Sequence, residues 1–413
     1  MSESYDTLET RSAEERTQQQ FAQLGEVLAQ AISQSPYYVE LLADFADIKQ
    51  VDGEILAAMP LTRKSELLAL QREQLPFGRL ARLAPPTLKR VFASPGPIYE
   101  PETSTPDCWR MARALYAAGV REGDLLYNCF SYHFTPAGAM LEGGAFALGC
   151  AVFPAGTGQT ELQTSTIADL RPQAYVGTPS FLKIILDKGD ELGLDLGSLQ
   201  KALVSGEYFS PELRVAFDSR GIFARQCYAT ADLGLIAYET VPGEGMVLDE
   251  GVIVEIVRPG TGDPVPDGEV GEVVVTCLNT DYPLIRFATG DLSAILPGAS
   301  PCGRTNRRIK GWLGRADQSA KVRGMFVHPS QIATVLTRHN EALKGRLVLT
   351  RNEKGLDVAV FQVEVIDPEQ AGLSAALAES FQAVTKLRAE VALCAPGALA
   401  NDGKVIDDQR LIT

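Results

Sequence analysis

Residues 282–293 read YPLIRFATGDLS, and residues 311–332 read GWLGRADQSAKVRGMFVHPSQI. The first stretch is an apolar run that closes on Thr289, Gly290 and Asp291, residues that favour a turn after a strand. An ionised carboxylate such as Asp291 can also accept from two neighbouring hydroxyls at once. The second stretch carries Arg315, Asp317, Lys321, Arg323 and Gly324 ahead of Pro329, a residue suited to the first turn of a helix. Taken alone, its charges also suit a solvated linker.

Upstream, short apolar runs alternate with capped amphipathic stretches, the pattern of strands joined by crossover helices. LLYNCF (125–130), AVFP (151–154), AYVGT (174–178) and KALVS (201–205) read as buried strands of a mostly parallel sheet. Thr105 and Pro106 are expected to open a helix closed by Gly119, and Ser210 and Pro211 one closed by Gly221. After about residue 240, GVIVEIVRPG and GEVGEVVVTCLN point to a β subdomain. Residues 317–413 read as a strand, a helix from Pro329, a hairpin around NEKG, a long helix from about 368 and a final strand VALC. The expected fold class is therefore α/β: residues 1–316 form a large body with a β subdomain, and residues 317–413 a small α+β domain.

Lys plus Arg number 38 against 52 Asp plus Glu, and this net charge of −14 argues against nucleic acid and anionic membranes as partners. The seven cysteines are scattered without ligand spacing, which indicates a reducing compartment. The N-terminus MSESYDTLETRSAEERTQQQ is too polar for a signal peptide, so a cytoplasmic protein is expected. His133, His328 and His339 form no ligand cluster, and no metal role falls to them.

Arg286 with Thr289-Gly290-Asp291 resembles the arginine-to-TGDL motif of the adenylate-forming superfamily, and residues 311–332 resemble its GRxDD…K…RG segment. The resemblance implies an adenylate-forming enzyme fold with ATP/AMP, Mg²⁺ and coenzyme A as cofactors. It implies that Asp291 holds the ribose hydroxyls, Arg315 approaches the nucleotide, Asp317 is the hinge, and Gly324 lies where the backbone passes close to the thiol donor. NDGKVIDDQRL (401–411) resembles the last superfamily motif, which makes Lys404 the catalytic cation. VSGEYFS (204–210) and QCYATADLGL (226–235) resemble the adenine segment and the YGxTE motif, so that Gly206 and Glu207 line the adenine pocket, Tyr228 packs near the nucleotide, and Asp232 stands in for the glutamate on the Mg²⁺ side.

PLTRKSELL…LPFGRLARL (60–83), SYHFTPAGAMLEGGAFALGCAVFPAGTGQTE (131–161) and RPQAYVGTPSFL (171–182) are similar to the phenylacetate-CoA ligase branch. By that resemblance the acyl pocket is built around Tyr132, Phe134 and Gly138, and the substrate is an aromatic, phenylacetate-like carboxylic acid taken to its CoA ester. Rings give a flat acid much contact area at low rotamer cost. By period-2 alternation alone, Phe130, Tyr132 and Phe134 equally suit a core strand.

One departure matters. In RVFASPGPIYEPE (90–102), Ser94, Gly96 and Pro101 keep the pattern of the phosphate loop, but Pro95, Pro97, Ile98 and Tyr99 replace small or hydroxyl residues and Glu100 replaces a lysine. Impaired handling of the triphosphate is the expectation. Three readings stay open: an acid–CoA ligase, an enzyme passing its acyl group to a carrier-protein thiol or an amine, and a non-catalytic adenylate-binding homologue. A homodimer is left open as the assembly.

Overall fold

A computed structural model describes residues 4–46, 48, 50–80, 88–94, 98–316, 318, 320–322, 325–351 and 357–410. The chain divides into two units: 1–254, 275–287 and 296–311 form the first, and 255–274, 288–295 and 312–413 the second. Strands Val252–Val257, Gly271–Cys277 and Phe287–Ser293 lie in one sheet, and the division falls within the strands themselves.

In the first unit a sheet runs in the order Arg308–Ile309, Met246–Leu248, Gly234–Glu239, Phe223–Thr230, Lys201–Val204, Ala174–Gly177, Leu125–Asn128 and Ala151–Pro154. The last five strands are mutually parallel, as their short apolar sequences suggest. Period 2 sorts their side chains between two cores. Leu126, Val176 and Leu203 face helices Met111–Ala117 and Ala137–Ala147, whereas Tyr127, Tyr175 and Val204 face helices Thr160–Leu170, Pro179–Leu192 and Pro211–Asp218. Such a sheet presents ligands at the carboxyl ends of its strands. Those ends lead into residues 129–138, Thr178 and Gly206–Glu207.

The helix at Ser210 is capped as expected, with Ser210 Oγ accepting from Leu213 N at 3.3 Å. The helix expected to open at Thr105 instead begins at Met111. Asp107 sits at positive φ in a turn, and its carboxylate accepts from Met111 N at 2.8 Å and Ala112 N at 2.9 Å, so it caps the helix that Thr105 cannot reach.

The segment from Tyr5 to Arg16 is tied in by charge. Glu9, fully buried, takes Tyr238 Oη at 2.6 Å, Arg304 Nε at 3.0 Å and Arg113 Nη1 at 3.3 Å, while Arg11 and Arg16 share Glu250.

In the second unit a four-stranded sheet has the order Glu390–Cys394, Asp357–Val365, Ala342–Arg351, Ile406–Asp408. Helices Pro329–Leu336 and Leu373–Thr385 bury Val335, Leu377 and Phe381 against Leu347, Phe361 and Val363. VALC is thus not the final strand, because Ile406–Asp408 adds in parallel to Leu347–Leu349. The second helix starts at Leu373 rather than near 368, since Pro368 to Gly372 make turns and Gly372 enters at positive φ.

Replacing Asp107 by Ala leaves the first two amides of the Met111–Ala117 helix without their acceptor. The expected loss is about 1–2 kcal/mol in urea unfolding, the range for a lost N-cap, with an unchanged m-value.

Candidate functional site

The second unit holds the carboxylate at 291. Asp291 Oδ1 accepts from Arg315 Nη1 at 3.0 Å and from Trp312 Nε1 at 3.0 Å, and its own N–H is bonded to Thr289 Oγ1. Gly290 has φ +75°, and a Cβ there would lie 2.6 Å from Arg315 Nη2. Glycine at 290 is therefore what lets the guanidinium cross the strand and reach Asp291.

The loop bearing Lys404 lies against the same strand. Val270 and Leu292 pack on Gly403. Asn401 is bonded to Val270 N and Gly268 O, and the Gln318 carboxamide bridges Gly403 O, Val405 N and Ile406 N. Lys404 Nζ itself pairs with Asp407 Oδ1 at 2.8 Å. Although burial raises the Asp407 pKa, hydrogen bonds from Lys404 and Gln409 outweigh it and hold the carboxyl below its ordinary range. Asp317 and Gly324 lie outside the described residues.

The first unit holds the remaining groups. Strands Leu88–Ser94 and Ile98–Thr103 pair as a hairpin with Ser94 opposite Ile98 and Phe92 opposite Glu100, and Gly96 lies outside the described residues. The Gln71 carboxamide clamps this hairpin by bonding both Tyr99 N and Tyr99 O at 2.8 Å. Glu100 is turned inward, only 2% exposed, and accepts from Ser94 Oγ. Burial, reinforced by the charge of Asp232, pushes its carboxyl up to about 7 against the opposing pull of Ser94 and Lys64. The charge reversal read from the sequence is thus partly neutralised by a proton near neutral pH. Asp232, also buried, pairs through Oδ2 with the Lys64 ammonium. Asp232 Oδ1 and Glu100 Oε2 are buried with no hydrogen-bond partner.

Tyr228 lies half-buried on strand Phe223–Thr230 opposite Ala237, and the exposed Glu207 accepts from Ser180 N at 2.6 Å beside Gly206. Tyr132 Oη accepts from Asn128 Nδ2 at 2.8 Å, and the same amide donates to Gly138 O. A Cβ on Gly138 would meet Ser131 O at 2.7 Å and the Tyr132 ring at 2.9 Å, so the ring can pack only on glycine. Phe134 is 68% exposed at φ +63°, and its carbonyl accepts from Ala93 N, coupling the stretch 132–138 to the hairpin.

The first unit thus pairs Ser94 with Glu100 and Lys64 with Asp232, the two carboxylates raising each other's cost through their charges, and the second pairs Asp291 with Arg315. Sequence reasoning missed Lys64, Trp312 and Asn128. Trp312, one of two tryptophans and three residues ahead of Arg315, was the one visible signal; a lysine that finds its partner 168 residues away leaves none. Among the described residues no group of three His, Cys, Asp or Glu could hold a metal, and no helix is long and apolar enough to cross a membrane.

Substituting Gly138 by Ala forces Tyr132 off its seat. The expected cost is about 1–3 kcal/mol of stability in urea unfolding, as for other overpacked sites; an unchanged midpoint would show that the Tyr132 ring can give way.

A family model described as AMP-binding enzyme matches residues 107–278. The phenylacetate-coenzyme A ligase of Thermus thermophilus is 32% identical over 87% of this chain and 84% of its own length, and that of Escherichia coli K12 is 31% identical over 87% and 85%. Among solved structures, 2-hydroxyisobutyryl-CoA ligase in the postadenylation state with 2-HIB-AMP matches with a TM-score of 0.71 at 25% identity, covering 98% of this chain and 91% of that one. The adenylate-forming fold expected from the two motifs is thereby the fold observed, and the chain belongs to the phenylacetate-coenzyme A ligase family of AMP-binding enzymes.

Proposed function

We propose that this protein is an AMP-forming acid–CoA ligase whose substrate is a flat aromatic carboxylic acid. The observation that carries the reading is the Asp291 carboxylate, held by Arg315 and Trp312 within the strand Phe287–Ser293 just after Gly290, in a chain whose relatives named phenylacetate-coenzyme A ligase align over more than four-fifths of it. In the first half-reaction a carboxylate oxygen of the acid attacks the α-phosphorus of ATP, forming the acyl-adenylate while the bond to pyrophosphate breaks. In the second, the CoA thiolate attacks the acyl carbon and AMP leaves with the electron pair of the broken C–O bond. Two easier steps replace one hard acyl transfer.

Asp291 is the proposed acceptor for the ribose hydroxyls, with Arg315 beside the phosphate. Gly206, Glu207 and Tyr228 are the proposed adenine and nucleotide neighbours, Ser94 and Gly96 the phosphate-loop residues, and Tyr132, Phe134 and Gly138 the acyl-pocket wall. Lys404 is the proposed cation for the adenylation transition state, where a preorganised charge acts on developing charge. Its pairing with Asp407 supports a lysine held in reserve. Residues 317–413 are read as a mobile domain turning at Asp317, with Gly324 along the path of the CoA thiol; that 312–413 belong together in the second unit supports the reading. Mg²⁺ suits Asp232, whose Oδ1 is buried and unpartnered. Seven free thiols support a cytoplasmic setting.

The deciding experiment measures AMP release from ATP with a panel of aryl acids, with and without CoA. AMP formed only when an aryl acid and CoA are both present is the expected result. Turnover with a carrier thiol or amine in place of CoA, or AMP binding without turnover of any acid, would replace the ligase reading.

Two substitutions divide the roles. Lys404→Ala is expected to slow adenylate formation by roughly 10²-fold or more while thioester formation from supplied acyl-adenylate survives; equal loss in both would remove the assigned role. Asp291→Ala should weaken AMP binding by about tenfold, the worth of one charge-assisted hydrogen bond of roughly 1.4 kcal/mol, as read by titration calorimetry.

A further inference from the structure

The reading of Asp232 leaves the neighbouring carboxylate unexplained. Glu100, 2% exposed, lies on the strand Ile98–Thr103, with one carboxylate oxygen on Ser94 and the other without a partner. Asp232, 8% exposed, likewise spends one oxygen on Lys64 and leaves Oδ1 without a partner. The two carboxylates and the Lys64 ammonium lie within electrostatic range of one another. Two shielded carboxylate groups, each with a free oxygen, make a poor seat for phosphate and a good one for a hard cation. Burying such groups without compensation is costly, and a single ammonium compensates them only in part.

The identity of the cation follows from the number of ligands. Mg²⁺ is usually held by one or two protein carboxylates and completes its octahedron with water and nucleotide phosphate oxygens. Two carboxylates fit that pattern. The side chain of Lys64 is 32% exposed, against 1% for that of Asp232, so the ammonium is the member of the cluster with access to solvent.

We propose that Glu100 is a second carboxylate ligand, with Asp232, for the divalent cation that accompanies the nucleotide, and that Lys64 fills the seat as a displaceable counter-ion until the cation arrives. The proposal rests on the reading of this face as a nucleotide site. It turns the altered loop from a lost contact into an exchanged one: a residue that would have met the phosphates directly is replaced by one that meets them through a metal. No bond is made or broken; one cation leaves as another enters.

The test uses Mn²⁺ as the probe, with the full chain, followed by calorimetry and by the electron spin resonance of the free ion, alone and with a non-hydrolysable ATP analogue. The wild type is expected to bind one Mn²⁺. Glu100→Gln and Asp232→Asn should each weaken it by at least about tenfold, a loss of the size known for groups that support metal sites, and Lys64→Ala should tighten it. The tightening shows that the ammonium and the metal compete for Asp232, and unchanged or weaker binding in Lys64→Ala would overturn the counter-ion role. Both carboxylate changes are near-isosteric, and melting curves with Mn²⁺ absent establish that each variant folds. No Mn²⁺ bound by the wild type in either condition, or Glu100→Gln binding it as the wild type does, overturns the proposal. Failure of the ligase reading is read separately: Mn²⁺ behaviour as expected without acid-dependent AMP release would sink the activity and leave the metal pair standing.

Discussion

A single buried guanidinium sets the geometry from which the first unit's site is built. Arg286 is 2% exposed and stands at φ +45°, a conformation that costs a non-glycine residue on the order of 1 kcal/mol. Its Nη1 donates to the carbonyls of Ala57 and Met59, its N–H to Thr276 Oγ1, and its carbonyl accepts from Thr62 N at 3.0 Å. A buried charge is tolerated only where its donors are satisfied, and here the acceptors come from the stretch that runs directly into Lys64. The residue that precedes the Phe287–Ser293 strand thus also holds the segment that brings an ammonium to Asp232.

That arrangement changes the meaning of the stretch from Pro95 to Glu100, the proposed phosphate loop. As a string of residues, Pro95 to Glu100 looks like a site losing function: fewer N–H donors, a bulkier backbone neighbour and a reversed charge. In three dimensions Glu100 bonds to Ser94 and lies in the field of the Asp232–Lys64 ion pair, while Gln71 clamps the neighbouring Tyr99. Electrostatics in a shielded cluster depends on the sum of its members, and the sum here is set by residues that lie far apart along the chain.

The elements legible in the sequence were those whose signal is local. Leu125–Asn128, Ala174–Gly177 and Lys201–Val204 are apolar runs too short for helices, and Ser210-Pro211 carries its cap within three residues. Asp107 displaced Thr105 because a capping carboxylate at positive φ depends on a turn that residue preferences do not specify. Ile406–Asp408 was missed because three residues, two of them acidic, carry no alternation; the exposed edge of Ala342–Arg351 recruits them by backbone pairing alone. Within the site, Asp291 and Arg315 were legible through their motifs. Trp312, Asn128 and Lys64 were not, since each acts through a partner chosen by the fold.

The Glu9 anchorage also has a temporal side. Its partners Arg113, Tyr238 and Arg304 are spread over most of the first unit, and Arg11 and Arg16 wait for Glu250. A chain made from its N-terminus at roughly 5–20 residues per second therefore carries this segment for on the order of 15–60 s before the last arginine emerges from the ribosome. Through that interval the parallel strands can assemble and Arg113 and then Tyr238 can engage Glu9, but its pairing with Arg304 has to wait. Completion of the larger unit is thus tied to late synthesis, because the buried carboxylate at 9 has its full set of partners only once residue 304 has been made.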